Sequence, residues 1–159
     1  MKQKIYIETS VVSYLTARLS KDIIIAGHQA ATHAFWELLP QFDPYISELV
    51  LEEAGQGDQS ASAARLKELK GFKELEINEQ CGILASALIS DGVIPSQYPG
   101  DALHIAIAAI HGINIIVTWN FKHINNPVTR YRIRESIEHH GYLSPEMCSP
   151  DEFLGDTYD

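Results

Sequence analysis

Glu8, Glu53, Asp101 and Asn120 are the residues of this chain best placed to do chemistry together. Each brings a side-chain oxygen to the edge of an apolar stretch: Glu8 follows KIYI, Glu53 lies in SELVLEEA, Asp101 opens DALHIAIAAI and Asn120 follows INIIVTW. Carboxylates converging in one cleft repel one another and lose hydration, so they persist where a cation neutralises them. A hard divalent ion, Mg2+ or Mn2+, suits carboxylate and amide oxygens and keeps coordination positions free for phosphate. Ser10 and Thr118 sit close enough in sequence to Glu8 and Asn120 to supply hydroxyls that orient those ligands.

Taken singly, each residue also has a purely structural explanation. Asp101, after Pro99 and Gly100, has the type and position of a helix N-cap. Glu53 fits a solvated helix face, as Glu52 beside it does, and a shift of one residue exchanges the two. Asn120 suits a turn. Glu8 resists such a reading, because it ends a strand expected at the centre of a sheet, where a carboxylate without a partner is costly.

The elements that must hold these residues alternate between strand and helix patterns. This predicts an α/β fold of three layers, with a central, mostly parallel sheet flanked by helices. Lys4–Ile7 reads as the first strand, with Thr9 and Ser10 capping a helix that runs to Arg18. Further helices are expected over residues 27–39, around Glu53, over 60–69, 79–90, 101–111 and 128–140. Strands are expected over 45–47, 75–77 and 113–118, with a short segment at Met147 and Cys148. The 101–111 helix is apolar almost all round and is therefore expected to be buried, with Gly112 as its stop. Ile113–Thr118 is a β-branched run suited to a central parallel strand, and ligands collect beyond the carboxyl ends of such strands, where Asn120 falls.

The 159 residues are expected to form one domain, 1–159, with an acidic tail from about residue 150. The start MKQKIYIETS lacks the apolar core of a signal peptide, and no apolar run approaches the roughly 18–20 residues of a membrane span, so a cytoplasmic protein is expected. Cys81 and Cys148 lack metal-site spacing and are expected to be reduced thiols. The formal charge of −9 excludes broad nonspecific coating of nucleic acid, so any such partner needs a local device. Lys122, Arg130, Arg132 and Arg134 supply one, with a solvated helix face as the alternative. Trp119, Phe121 and His123 are candidates for stacking on an unpaired base, His104 reads as a hydrogen-bonded core residue, and His139 and His140 as surface.

Taken in order, YIETSVVSYL, SELVLEEAGQGD, PGDALHIAIAAIHGI and IIVTWNFKHI resemble the motifs of the PIN-domain nucleases, in the branch of VapC-type toxins. The resemblance spans nearly the whole chain and implies a Mg2+- or Mn2+-dependent ribonuclease that hydrolyses RNA phosphodiesters. It also implies an antitoxin protein as partner and a homodimer as assembly. It assigns Glu8, Glu53, Asp101 and Asn120 to the four acidic positions. The family usually has Asp at the first and fourth, so Glu8 extends its ligand by a methylene and Asn120 removes a charge. A competing expectation is a PIN-like module that has lost turnover and binds RNA or a protein. A receiver-type signalling domain also gathers acidic residues at strand ends, but the phosphorylatable Asp on a central strand and the late Lys it requires are not visible in context. No GxSxG, P-loop or dinucleotide fingerprint points elsewhere.

Overall fold

The computed structural model describes residues 1–157 and is built on one five-stranded parallel sheet in the order β3-β2-β1-β4-β5. The strands are β1 (Lys4–Ile7), β2 (Asp43–Ser47), β3 (Lys73–Leu75), β4 (Ile115–Val117) and β5 (Glu146–Cys148). Between them run α1 (Thr9–Thr16), α2 (Ile23–Glu37), α3 (Glu48–Ala54), α4 (Gln59–Leu69), α5 (Glu79–Ser90), α6 (Pro99–Ile110) and α7 (Arg130–His139). Helix α1 packs with α2, α3 and α4, whereas α5 packs with α6 and α7. Among the described residues, no helix is long and apolar enough to cross a membrane.

The strand order explains where a site can form. The chain lays down β1, β2 and β3 in one direction, then returns to place β4 on the free side of β1. Tyr6 pairs with Tyr45 on one flank and Ile116 on the other, so β1 is the centre of the sheet. Connections leave β1 and β4 in opposite senses, and the crevice beyond their carboxyl ends is the place where such sheets accept ligands. Glu8 and Thr118 both fall there, one residue past the ends of β1 and β4. Ile5, Tyr6, Ile7, Ile116 and Val117 are fully buried, which makes the backbone under the crevice a rigid platform.

Several sequence expectations shift at their edges. Helix α1 is not capped by Thr9 or Ser10: Glu8 itself is the N-cap and accepts from Ser10 N–H, and the helix stops at Thr16 instead of Arg18. Helix α2 begins four residues before the expected Gly27, because Asp22 accepts from the N–H groups of Ile24 and Ile25 and opens the helix at Ile23. Strand β3 is Lys73–Leu75 where 75–77 was expected, since it pairs through Tyr45–Ser47 of β2. Asp101 is not an N-cap. Tyr98 occupies that position and Asp101 lies inside the first turn.

Gly112 does end α6: at φ +68° it is in the left-handed region, and the bonds from Gly112 N–H to Ala109 O and Ile113 N–H to Ala108 O form a Schellman closure. The region expected as an acidic tail is, through Thr157, a 3-10 segment starting at Pro150. Phe153 anchors it between Phe35 and Phe42, with ring centroids at 4.9 and 5.3 Å, and Asp151 and Glu152 are turned back onto Ser149. Tyr158 and Asp159 lie outside the described residues.

Candidate active site

Glu8 is held by a network whose polarity is fixed by the backbone. The hydroxyls of Ser10 and Thr118 each accept a main-chain N–H, from Trp119 at 2.8 Å and Asn120 at 2.9 Å. Their protons are thereby directed at Glu8 Oε1, at 2.5 and 2.6 Å, while Oε2 accepts Ser10 N–H at 3.1 Å. A carboxylate 6% exposed is thus satisfied and aimed by the strand end it must face.

Glu53 arrives from α3, which Ser47 caps through a bond from Val50 N–H. Its Oε1 accepts from Thr9 Oγ1 at 2.5 Å and from His104 Nε2 at 2.7 Å. Glu52 is exposed, so Glu53 is the residue of the pair that faces inward. Behind His104, Nδ1 meets the Tyr6 hydroxyl at 2.7 Å, and that hydroxyl lies 2.8 Å from Ser47 Oγ. Four elements are therefore tied by one buried relay: β1, β2, α3 and α6.

Burial opposes charge on His104, but the hydrogen bond to Glu53 and the nearby charges of Glu8, Glu53 and Asp101 outweigh it and raise its pKa. Burial likewise opposes ionisation of Glu53, yet His104, by hydrogen bond and by charge, and Thr9 together hold its carboxyl below the ordinary value. Tyr6 is pushed well up, by burial first, and stays a neutral hydroxyl.

Ligand atoms of Glu8, Glu53 and His104 all lie within 4.8 Å of one another, which is the spacing of a cation site. Asp101 stands three residues before His104 on α6, on the same helix face. Its Oδ2 accepts from His123 Nδ1 at 2.8 Å, and its Oδ1 takes no hydrogen bond among the described residues. Glu53 Oε2 is similarly free of donors among them, and it lies against the first turn of α6. Both open oxygens are hard donors, so this set fits Mg2+ or Mn2+. Glu8 and Glu53 would hold the ion, with His104 fixing Glu53 from behind, and Asp101, outside that 4.8 Å group, would complete the set from the same face of α6.

Gly100 permits that approach. A methyl group there would stand 3.2 Å from Glu53 Oε2. Gly100→Ala is therefore expected to shift the carboxylate by a few tenths of an ångström and weaken Mn2+ binding up to about tenfold, the low end of the range for a disturbed outer contact. Calorimetric titration of Gly100→Ala beside Glu53→Gln checks this, and an unchanged affinity in both would mean that Glu53 is not a ligand.

Asn120 does different work. Its Oδ1 accepts His123 N–H at 3.0 Å, and its carbonyl accepts the N–H groups of Ile124 and Asn125. It shapes the turn that delivers His123 to Asp101. The four basic residues are also differently engaged: Arg130 donates to Asn125 Oδ1 at 2.7 Å, Arg134 pairs with Glu146 at 2.6 Å, Arg132 is exposed and Lys122 lies over the Tyr98 ring. Of the aromatic candidates, Trp119 is buried with its N–H given to Thr32, whereas Phe121 is exposed. His104 was legible as a core residue but not as a member of the site. The signal for it was its spacing of three from Asp101.

No protein-family model and no curated protein matches this chain. Solved structures do. One is the crystal structure of VapBC2 from Rickettsia felis bound to a DNA fragment from their promoter, with a TM-score of 0.59 and 17% identity over 92% of this chain and 98% of that one. Another is VapBC-1 from nontypeable Haemophilus influenzae, with a TM-score of 0.54 and 16% identity over 93% and 98% of the two chains. The fold is PIN-like. At this level of identity the likeness concerns architecture, and the site must be argued from its own residues.

Proposed function

We propose that this chain is a metal-dependent endoribonuclease that hydrolyses RNA phosphodiesters and acts as the toxin of a toxin–antitoxin pair. The observation that carries the reading is the meeting of Glu8, Glu53 and His104 within 4.8 Å at the switch point of a PIN-like sheet, with Asp101 on the same helix face as His104. When bound, Mg2+ or Mn2+ supplies Lewis acidity toward a phosphoryl oxygen and lowers the pKa of a water ligand.

The residues of the chain do the positioning. Ser10 and Thr118 hold Glu8, Thr9 and His104 hold Glu53, and His123 holds Asp101. Glu53 Oε2, free of donors among the described residues, is the oxygen this side chain would offer to the ion. Asn120 acts through the turn that fixes His123. Lys122, Arg130, Arg132 and Arg134 offer phosphate contacts, a local device that the net charge of −9 requires. An inhibitory antitoxin protein, a homodimer and a cytoplasmic location complete the proposal. The antitoxin is supported by the motif resemblance and by the VapBC complexes that share the fold, and the homodimer by the resemblance alone.

One observation favours a second reading, a catalytically weakened module that binds RNA or a protein. Asn120 is neutral where the family resemblance places a carboxylate, and its amide oxygen is engaged in the turn, so that position brings the site neither charge nor a free oxygen. Incubation of total RNA with the protein in Mg2+ or Mn2+, against the same mixture in EDTA, separates the two. Cleavage is expected only with metal. Cleavage unchanged in EDTA would sink the metal mechanism, and RNA binding without cleavage would select the weakened module.

A further inference from the structure

The residue that caps α6, Tyr98, has a ring 42% exposed at the rim of the site, and its hydroxyl makes no hydrogen bond among the described residues. Core packing does not account for it. One side of the ring meets the His123 ring, with centroids 4.2 Å apart and planes tilted by 42°. His123 in turn donates to Asp101 through Nδ1. The tyrosine is thus two contacts from a carboxylate of the site and is braced by the group that positions that carboxylate. Lys122 Nζ lies 5.5 Å from the centroid of the same ring.

We infer that Tyr98 is a stacking platform for an unpaired nucleobase next to the scissile phosphate, and that Lys122 moves from the ring to a phosphate when the base arrives. This deepens the nuclease reading and rests on it. Magnitudes decide the exchange. An exposed cation–π contact is worth about 0.5–1 kcal/mol, and stacking of a base on an aromatic side chain about 1–3 kcal/mol. The displaced ammonium loses little and gains a phosphate oxygen, so base and phosphate replace the resting pair together. A platform of this kind requires a base free of its helix, so the favoured substrate is single-stranded RNA. Phe121 is as exposed as Tyr98, but its ring contacts are with Trp119 and His28, and it reaches Glu8 through Trp119 and Ser10, one contact further than Tyr98 stands from Asp101.

The test is the affinity of the full chain for short fluorescein-labelled oligoribonucleotides in calcium, a hard cation that neutralises the carboxylates with looser geometry than magnesium. Three probes are compared: a single strand, an abasic ribose-phosphate strand of equal length and a hairpin duplex. Tyr98→Ala is expected to weaken the single strand about tenfold and leave the abasic strand unchanged, while Tyr98→Phe binds both like wild type. Should the alanine variant fail to fold by circular dichroism, Tyr98→Leu, which keeps apolar bulk without a π face, takes its place.

Equal affinity of wild type and the non-aromatic variant for the single strand would overturn the inference. So would an equal loss on the abasic strand, which would reduce Tyr98 to a support for His123. Wild-type protein that binds no RNA would overturn both this inference and the nuclease reading. Wild-type protein that cleaves RNA in Mn2+ while the variant binds normally would overturn this inference alone.

Discussion

Asp101→Asn is expected to abolish metal-dependent cleavage of RNA while leaving the fold in place. The substitution keeps size and shape, and its amide oxygen can still accept from His123 Nδ1, now at 2.8 Å from the carboxylate. Helix α6 does not depend on it for a cap, because Tyr98 holds that position. What is lost is a favourable charge in the first turn, worth about 0.3–1 kcal/mol of stability. On the proposed reading the site loses much more, since Asp101 contributes one of the three anionic groups assigned to the ion, together with its open oxygen. Turnover should fall by more than the roughly 10–100-fold typical of disturbing an outer contact. Side-by-side measurement of cleavage, Mn2+ affinity and thermal midpoint checks this. A folded Asp101→Asn protein with full activity would remove Asp101 from the metal site.

The contrast between Asp101 and Asn120 shows how far the sequence carries. Both sit next to an apolar element, and both had a structural explanation as cap or turn residue. For Asp101 that explanation fails: Pro99 enters the helix one turn position early, Tyr98 becomes the cap, and the carboxylate is released to meet His123. For Asn120 it holds in detail, since the amide oxygen closes a turn on His123 N–H. Local pattern could not separate these cases, because a one-residue difference in where a helix starts decides the direction of a side chain, and helix starts are where sequence reading is weakest.

The parallel sheet was legible because β-branched runs and helical periods alternate along the chain, and period is a property of sequence. The relay from Ser47 through Tyr6 and His104 to Glu53 was not. Its members are 41, 98 and 51 residues apart in successive contacts, and nothing local marks them as partners. Tyr6 reads as one more apolar residue of a central strand, and His104 as an interruption in an apolar helix. Only the crossover that sets β1 between β2 and β4 brings them together.

That relay leads to the second large effect. His104→Ala is expected to destabilise the metal-free protein by about 3 kcal/mol, because it removes a fully buried ring together with its hydrogen bonds to Tyr6 and Glu53. Two groups lose their partner at once. Tyr6 retains Ser47 and Glu53 retains Thr9, but Tyr6 loses its contact with Nδ1 and Glu53 its contact with Nε2, so nothing from α6 fixes the Glu53 carboxylate beside Glu8. His104→Phe separates this from the cavity that alanine leaves: it fills the volume without restoring the hydrogen bonds, so much of the loss should remain.

A divalent ion supplies positive charge to the same carboxylates. Mn2+ at a hundred times its dissociation constant stabilises a protein by about 2.7 kcal/mol through mass action, and should recover much of the deficit in both variants. Urea denaturation of wild type, His104→Ala and His104→Phe, each in EDTA and in Mn2+, measures these differences. If the phenylalanine variant matched wild type in EDTA, the relay would be packing and nothing more. If Mn2+ restored neither variant, the carboxylates that His104 faces would not be the ones that hold the ion.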